Sequence, residues 1–132
     1  MIKGKINFEK KALFCNPYNF ERGENFMISK NEMPDCPVAT TVKLIGSKWK
    51  LLILRNLLAR PWRFNELKKN LSPISHKVLT ESLRSMEEDG LVARKIFDTR
   101  PRSVEYSLTE LGLSLKPVLL EMEKWGSSYK NQ

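Results

Sequence analysis

The sequence contains very little histidine and cysteine. Among its 132 residues there are one histidine, His76, and two cysteines, Cys15 and Cys36. A structural zinc site needs about four closely spaced Cys or His ligands, and a Ser-His-Asp triad needs a histidine beside its nucleophile. The sequence shows neither pattern and no Gly-rich phosphate loop. We therefore expect no metal, no cofactor and no enzymatic activity.

The chain also lacks a long hydrophobic run. Its most apolar stretch, residues 51–58, is interrupted by Arg55 and Asn56. That stretch is much shorter than the roughly 20 residues that span a bilayer. The first residues contain no apolar segment of signal-peptide length, and two cysteines give no disulfide framework. These absences predict a cytoplasmic protein without a membrane partner.

Acidic residues are outnumbered by basic ones. The chain has 23 Lys and Arg against 15 Asp and Glu, which gives a net charge of +8. Most of the excess lies in residues 36–132, which hold 17 basic and 10 acidic side chains. Such a charge favours a polyanionic partner, with nucleic acid ahead of an anionic membrane surface. A soluble protein that is merely basic is the alternative, because charge alone does not identify a partner.

Residues 1–35 and residues 36–132 differ in their local signals. Proline and glycine punctuate the first segment, and its apolar residues have no sustained period. We expect this segment to be a weakly structured lead-in or a dimer arm, and Met27 within it is a candidate alternative start. Every part of residues 36–132 carries a clear signal, so we expect these residues to form the folded domain.

Hydrophobic spacing, helix caps and glycine stops predict the order of elements. Helices are predicted over residues 38–45, 48–59, 64–71 and 75–89, a β-hairpin over 91–97 and 103–108, and a final helix from Thr109 to about Tyr129. The helix over 48–59 is apolar nearly all round and is the predicted buried centre. Pro117 is expected to kink the final helix.

Two of these helices, joined by the turn Ser72-Pro73-Ile74, form a predicted helix-turn-helix whose second helix can enter a major groove. The predicted fold is α+β, mainly α: a winged helix-turn-helix with a two-stranded β-hairpin wing and a C-terminal dimerisation helix. One face of the second helix carries donors that can read bases or phosphates, namely Ser75, His76, Lys77, Thr80 and Arg84. Taken alone, this is also what an ordinary solvated helix face looks like.

The loop of the hairpin is basic. It carries Arg100 and Arg102 on either side of Pro101. A wing that reaches a minor groove or its phosphates needs such basic side chains. An ordinary basic hairpin is the alternative for this signal alone. The order of helix, turn, helix and basic loop within one short domain favours the DNA-binding interpretation.

Several blocks of the sequence resemble those of the HxlR-type winged helix-turn-helix regulators. They are Cys36-Pro37-Val38, Leu44-Ile45-Gly46-Ser47-Lys48-Trp49-Lys50, Arg63-Phe64-Asn65-Glu66-Leu67, Ile74-Ser75-His76-Lys77-Val78-Leu79-Thr80, Glu87-Glu88-Asp89-Gly90-Leu91-Val92 and Val104-Glu105-Tyr106-Ser107-Leu108-Thr109. The resemblance extends from Cys36 to Gly126 without an evident insertion. The chain departs from the pattern at Ser47, where the family usually has a second glycine, and at Ser72-Pro73, which replaces the usual glycine before the Ile-Ser pair.

The resemblance implies a homodimer with contacts from the N-terminal region and the last helix. In that helix we predict dimer contacts from the apolar seam, chiefly Leu115, Val118, Met122 and Trp125. A spacing of three and four residues suits packing against a partner helix. The same seam could equally cover the chain's own core. A two-fold dimer would place its recognition helices about 34 Å apart and read an inverted repeat.

The resemblance also implies a thiol near position 36 that responds to oxidants in some relatives. Cys36 lies beside Pro37 at a predicted helix N-terminus, where the helix dipole lowers the pKa of a thiol. Asp35 next to it acts in the opposite direction. A half-buried, unreactive cysteine is the alternative to a redox sensor.

Together these features predict a sequence-specific, double-stranded DNA-binding transcriptional regulator that acts as a homodimer. The alternative is a winged-helix protein–protein adaptor without specific DNA binding. RNA binding is a weaker possibility, since the sequence offers no aromatic stacking platform. The sequence names no small-molecule effector and no operator, and a repressor and an activator would look the same in it.

Overall fold

A computed structural model of the chain describes residues 33–132. The chain divides into two compact units, Met1–Gly46 and Ser47–Gln132. The candidate start at Met27 and residues 1–32 of the predicted lead-in lie outside the described residues. The domain boundary after residue 35 stays a prediction.

The described part of the first unit consists mainly of helix α1, Pro37–Ile45. Pro37 stands in its first turn, where a missing N–H costs no hydrogen bond and the fixed φ suits the helix. The Thr40 hydroxyl donates to the Pro34 carbonyl oxygen at 3.0 Å, which ties the entering chain to the helix. The helix ends at Ile45, followed by Gly46, so the predicted helix over 38–45 is confirmed.

The second unit contains the remaining elements in chain order. They are α2 Lys48–Ala59, β1 Trp62–Arg63, α3 Phe64–Asn70, α4 His76–Glu88, β2 Val92–Phe97, β3 Ser103–Leu108, α5 Glu110–Leu113 and α6 Lys116–Lys130. The winged helix-turn-helix arrangement is as predicted. None of the described helices is long and apolar enough to cross a membrane.

Helix α2 supplies the centre of the core, as its apolar sequence predicts. The side chains of Ile53 and Leu54 are fully buried, and α4 and β3 pack against this helix. Two polar residues of the described part are buried, Asn56 and Ser82. The Asn56 side chain donates from Nδ2 to Asn70 Oδ1 at 2.7 Å, and the Asn56 main-chain carbonyl oxygen accepts from Trp62 Nε1 at 2.9 Å. These bonds hold β1 and the end of α3 against α2.

The sheet has three strands, in the order β1-β3-β2. Strands β2 and β3 are the predicted two-stranded hairpin, and β1 adds a third strand that the sequence analysis did not predict. Strand β1 pairs antiparallel with β3 through Trp62 opposite Tyr106 and Arg63 opposite Glu105. A strand of two residues is too short to show the alternation that identifies strands in a sequence. Its position depends on tertiary contacts, such as the Trp62 indole hydrogen bond to α2.

The C-terminal segment is two helices, which corrects the single kinked helix of the sequence analysis. Helix α5 ends at Leu113, and α6 begins at Lys116 with Pro117 in its first turn. Proline cannot donate to the preceding turn and clashes with it inside a helix, whereas a first turn accommodates it. The chain therefore stops one helix before Pro117 and starts another.

Helix α5 lies very close to the corner between α4 and β2. The Thr109 N–H donates to the Leu91 carbonyl oxygen at 3.1 Å, and the Thr109 hydroxyl donates to the Gly90 carbonyl oxygen. The same Oγ1 accepts from the Gly112 N–H at 3.1 Å and so caps α5. A Cβ on Gly112 would overlap the Leu91 carbonyl oxygen, so this approach requires glycine.

We predict that Gly112→Ala lowers the free energy of unfolding by roughly 1–3 kcal/mol, because the backbone must shift to relieve the overlap. Gly126→Ala is the matched control, since a Cβ there meets no atom within 4 Å. Removing a mid-helix glycine should raise the free energy of unfolding by about 0.5–1 kcal/mol. Urea denaturation at one protein concentration measures both variants, and equal effects would contradict the close contact.

Candidate nucleic-acid interface

The turn between α3 and α4 is held from both sides. Leu71 and Ile74 are buried, and the Ile74 N–H donates to the Leu71 carbonyl oxygen at 3.1 Å. The rings of Phe64 in α3 and His76 in α4 lie 5.0 Å apart between centroids, in a tilted arrangement. These contacts hold the two helices together across the Ser72-Pro73 turn.

Helix α4 begins at the residue that the sequence indicates. Ser75 is its N-cap, and its Oγ accepts from the Val78 N–H at 3.1 Å. Leu79, Leu83 and Met86 form the buried stripe as predicted. Because this stripe faces inward, the opposite side of α4 is presented to solvent.

A hydrogen bond from α2 also holds α4 in place. Lys50 on α2 donates from Nζ to Ser85 Oγ at 2.7 Å. Nearby, partial burial raises the pKa of Asp89 at the end of the helix; Lys50 opposes this shift and Glu88 adds to it. Lys50 therefore helps to set how α4 lies on α2 and is not itself part of the exposed basic face.

The five residues predicted on the recognition face differ in what they can offer. Lys77 and Arg84 are exposed, and 83% of the Lys77 side chain is accessible. His76 is exposed but packs its ring against Phe64. Thr80 is half-buried, and its hydroxyl donates to the His76 carbonyl oxygen at 2.8 Å. The Ser75 Oγ accepts the cap hydrogen bond but keeps its own O–H to donate, and Lys77 and Arg84 are the exposed cations of this face.

The wing is formed by β2, β3 and the loop that connects them. Strands β2 and β3 pair from Val92 opposite Leu108 to Phe97 opposite Ser103. Both predicted arginines, Arg100 and Arg102, are exposed in the connecting loop. Arg102 Nη2 lies 3.7 Å from Asp98 Oδ1, in a pair that is open to water on both sides. Such a pair leaves the guanidinium able to exchange its partner for a phosphate.

Sequence reasoning missed a concave surface between α4 and the sheet. This pocket has a volume of about 440 Å³ and is lined by Thr80, Arg84, Glu87, Glu88, Arg94 and Tyr106. Arg94 Nε lies 3.7 Å from Glu87 Oε1. Burial raises the pKa of Tyr106, with Arg94 opposing the shift and Glu87 adding to it. The pocket adds Arg94 to the basic groups beside the recognition face.

A signal for Arg94 is present in the strand pattern. Residues at alternate positions of a strand share one face, which puts Arg94 on the face of buried Val92. Arg94 also stands opposite buried Tyr106 in the register of β2 and β3. The Arg94 side chain is 47% exposed and is paired with Glu87 on α4.

The predicted dimer seam does not enter the core of the second unit. No residue of α6 is buried, and Val118, Met122 and Trp125 are 37%, 49% and 70% exposed. Leu115, just before α6, is half-buried. The Trp125 and Tyr129 rings stack at 5.4 Å between centroids. The seam is thus a largely solvent-exposed apolar strip in a single chain.

Cys36 belongs to the first unit, where it is the N-cap residue of α1. It is half-buried and disulfide-bonded. Elsewhere in residues 33–132, no group of three or more His, Cys, Asp and Glu side chains is arranged to hold a metal ion.

Comparison with known proteins gives consistent matches. The HxlR-like helix-turn-helix family matches residues 44–132. The uncharacterized HTH-type transcriptional regulator YdeP of Bacillus subtilis is 43% identical over 104 residues, which cover 79% of this chain and 81% of YdeP. YdeP is a transcriptional regulator by its name, which is in line with a role that is not enzymatic.

Two solved structures are similar in both fold and sequence. The redox regulator HypR in its oxidized form is 42% identical with a TM-score of 0.67, over 70% of this chain and 96% of that one. Diamide-treated YodB from B. subtilis is 35% identical with a TM-score of 0.60, over 71% of this chain and 94% of that one. Both superpose on most of the chain.

Proposed function

This chain belongs to the HxlR-like helix-turn-helix family of transcriptional regulators, and we propose that it acts as a cytoplasmic homodimer that binds an inverted-repeat operator in double-stranded DNA. The observation that carries this proposal is the joint display of Lys77 and Arg84 on α4 beside a wing bearing Arg100 and Arg102. We assign the protein to the cytoplasm because a transcriptional regulator must reach chromosomal DNA.

The division of labour follows from the chemistry of each surface. Lys and Arg on a helix in the major groove can donate to the O6 and N7 acceptors of guanine. Arg100 and Arg102 extend from a loop, so they can reach the phosphates or the adjacent minor groove. Helix α4 therefore reads sequence, and the wing supplies affinity that depends on salt.

We predict tight binding to the intergenic DNA that flanks the protein's own gene, at least about 10³-fold tighter than to a scrambled duplex at physiological salt. Lys77→Ala and Arg84→Ala should each weaken binding to that site roughly 5- to 100-fold, because each removes a base contact. Fluorescence anisotropy over a salt series measures both quantities.

Lys124→Ala is the control for charge, since Lys124 is an exposed cation on α6 that pairs with Glu121 at 2.9 Å. It should leave the preference for the site unchanged. Weak binding that is equal on both duplexes and lost by physiological salt would contradict the proposal for this site. A protein–protein adaptor would then be the better interpretation, to be tested by partner capture.

The exposed apolar strip on α6 supports the homodimer. Soluble proteins rarely leave several large apolar side chains exposed along one helix face without a partner. Val118, Met122 and Trp125 share the spacing of a helix–helix seam, and all three are exposed. A second copy offers the same strip, as a two-fold interface requires.

We expect sedimentation equilibrium to give a dimer for the wild-type protein. Met122→Glu should shift the equilibrium toward monomer, because each dimer would bury two uncompensated carboxylates. Lys124→Glu changes charge on the same helix, off the apolar strip, and should leave the dimer intact. A monomeric wild-type protein, or equal behaviour of the two variants, would contradict this interface.

We further propose that Cys36 makes DNA binding responsive to thiol oxidation. The support is its disulfide bond, its place at the N-terminus of α1 and the similarity to HypR, a redox regulator by its own name. Oxidation would join the Cys36 thiol to a second cysteine, and the oxidant would accept two electrons and two protons.

Mild diamide treatment should change the operator affinity of the wild-type protein, and dithiothreitol should restore it. Cys36→Ser should abolish the response, because the variant cannot form the disulfide. The affinity of each protein is measured before treatment, after diamide and after reduction. An equal response in wild type and Cys36→Ser would place the redox effect elsewhere.

A further inference from the structure

Helix α4 carries one acidic side chain among its first two turns, and that residue has no evident structural task. Glu81 is exposed, and its neighbours on the helix surface are the exposed Lys77 and Arg84 and the half-buried Thr80. In a helix-turn-helix these early turns approach the base edges. A carboxylate here repels phosphates and so lowers general affinity for DNA.

The contact that Glu81 makes is too weak to explain its presence. Its Oε1 lies 3.9 Å from Lys77 Nζ, beyond hydrogen-bond distance, and its side chain is 58% exposed. Lysine preceding glutamate by four residues is the less favourable order for a helix. An exposed pair of this kind contributes little to stability.

Two ion pairs away from the DNA-facing elements are closer, whereas the Arg94–Glu87 and Arg102–Asp98 pairs, like Lys77–Glu81, are beyond hydrogen-bond distance at 3.7 Å. Lys124 donates to Glu121 at 2.9 Å, and Arg60 donates to Glu66 at 3.3 Å, so both pairs are direct hydrogen bonds. In the Lys77–Glu81 pair the ammonium and the carboxylate are neighbours, but no hydrogen bond joins them. Both groups can therefore turn outward without breaking a hydrogen bond.

Their chemistry matches the two halves of one base pair. Guanine presents the O6 and N7 acceptors in the major groove, which suit lysine, and cytosine presents its N4 amino group, which suits a carboxylate. Opposite thymine or guanine, a carboxylate would meet an acceptor and be repelled. A neighbouring cation and anion on one helix face thus discriminate by attraction and by repulsion together.

We infer that Glu81 is a specificity-determining residue that accepts a hydrogen bond from cytosine N4 in each half-site, while Lys77 contacts guanine. This inference rests on the proposed function, because it assumes that α4 lies in the major groove. On this inference Glu81 lowers the general affinity of the protein for DNA and gives it selectivity at one base pair.

Selection from a randomised duplex library tests this with the full-length protein. Wild type should enrich one position of each half-site for C·G, and Glu81→Ala should show a weaker preference there while keeping the others. On the selected duplex, replacing this C·G pair by T·A should weaken wild type roughly 5- to 100-fold and Glu81→Ala by a smaller factor, because the Lys77 contact with guanine remains. The double variant Lys77→Ala/Glu81→Ala should discriminate by less than about twofold.

Two matched variants separate base reading from general repulsion. Glu121→Gln removes a carboxylate from α6, and Asp98→Asn removes one beside Arg102 in the wing. Both should retain the cytosine preference, although Asp98→Asn should bind all duplexes more tightly. An unchanged preference in Glu81→Ala overturns the inference alone. A wild-type protein that enriches no sequence overturns the proposed function, and the inference with it.

Discussion

Burial of Leu79, Leu83 and Met86 against the core fixes the orientation of α4 and therefore which of its residues face solvent. Each of these side chains is at most 1% exposed, and burying each stabilises the fold by about 1.5–3 kcal/mol. Once this stripe is buried, only the opposite face of α4 is exposed to solvent. Rotating α4 to present other residues would expose the stripe, so the outward position of Lys77 and Arg84 is enforced by packing.

The contacts around α4 extend this constraint to the neighbouring elements. Leu91 and Val92 are buried shortly after α4 ends, and Val92 is the first residue of the wing strand β2. Thr109 and Gly112 hold α5 to the backbone of Gly90 and Leu91 by hydrogen bonds and by close approach. Helix α6 follows α5 after two residues. The chain thus runs from recognition helix to wing to the exposed apolar strip through short, hydrogen-bonded connections.

Much of this arrangement is predictable from the sequence, where the local signal is strong. The bounds of α2 and α4, the Ser75 cap and the buried stripe follow from apolar spacing and capping residues. The basic loop of the wing follows from a strand pattern on each side of Pro101. These features depend on residues close in sequence, so a linear pattern records them.

What the sequence did not predict depends on contacts between distant residues. Strand β1 has two residues and exists because Trp62 bonds to α2 and pairs with β3. Arg94 joins the site only because β2 and α4 bring it to Glu87. The Thr80 hydroxyl looked like a base-reading donor, but it is used within the helix. In the last segment, the position of Pro117 decided between a kink and a break, and the first turn of a new helix was the less strained solution.

Hydroxyl-radical footprinting of the operator complex tests the central claim most directly. A homodimer that inserts one α4 per half-site should protect two regions related by two-fold symmetry, with centres about one helical turn, or 10 base pairs, apart. Protection should extend to the flanking backbone that the wings reach. A single protected region, or uniform weak protection along the duplex, would contradict the account of two symmetric recognition helices.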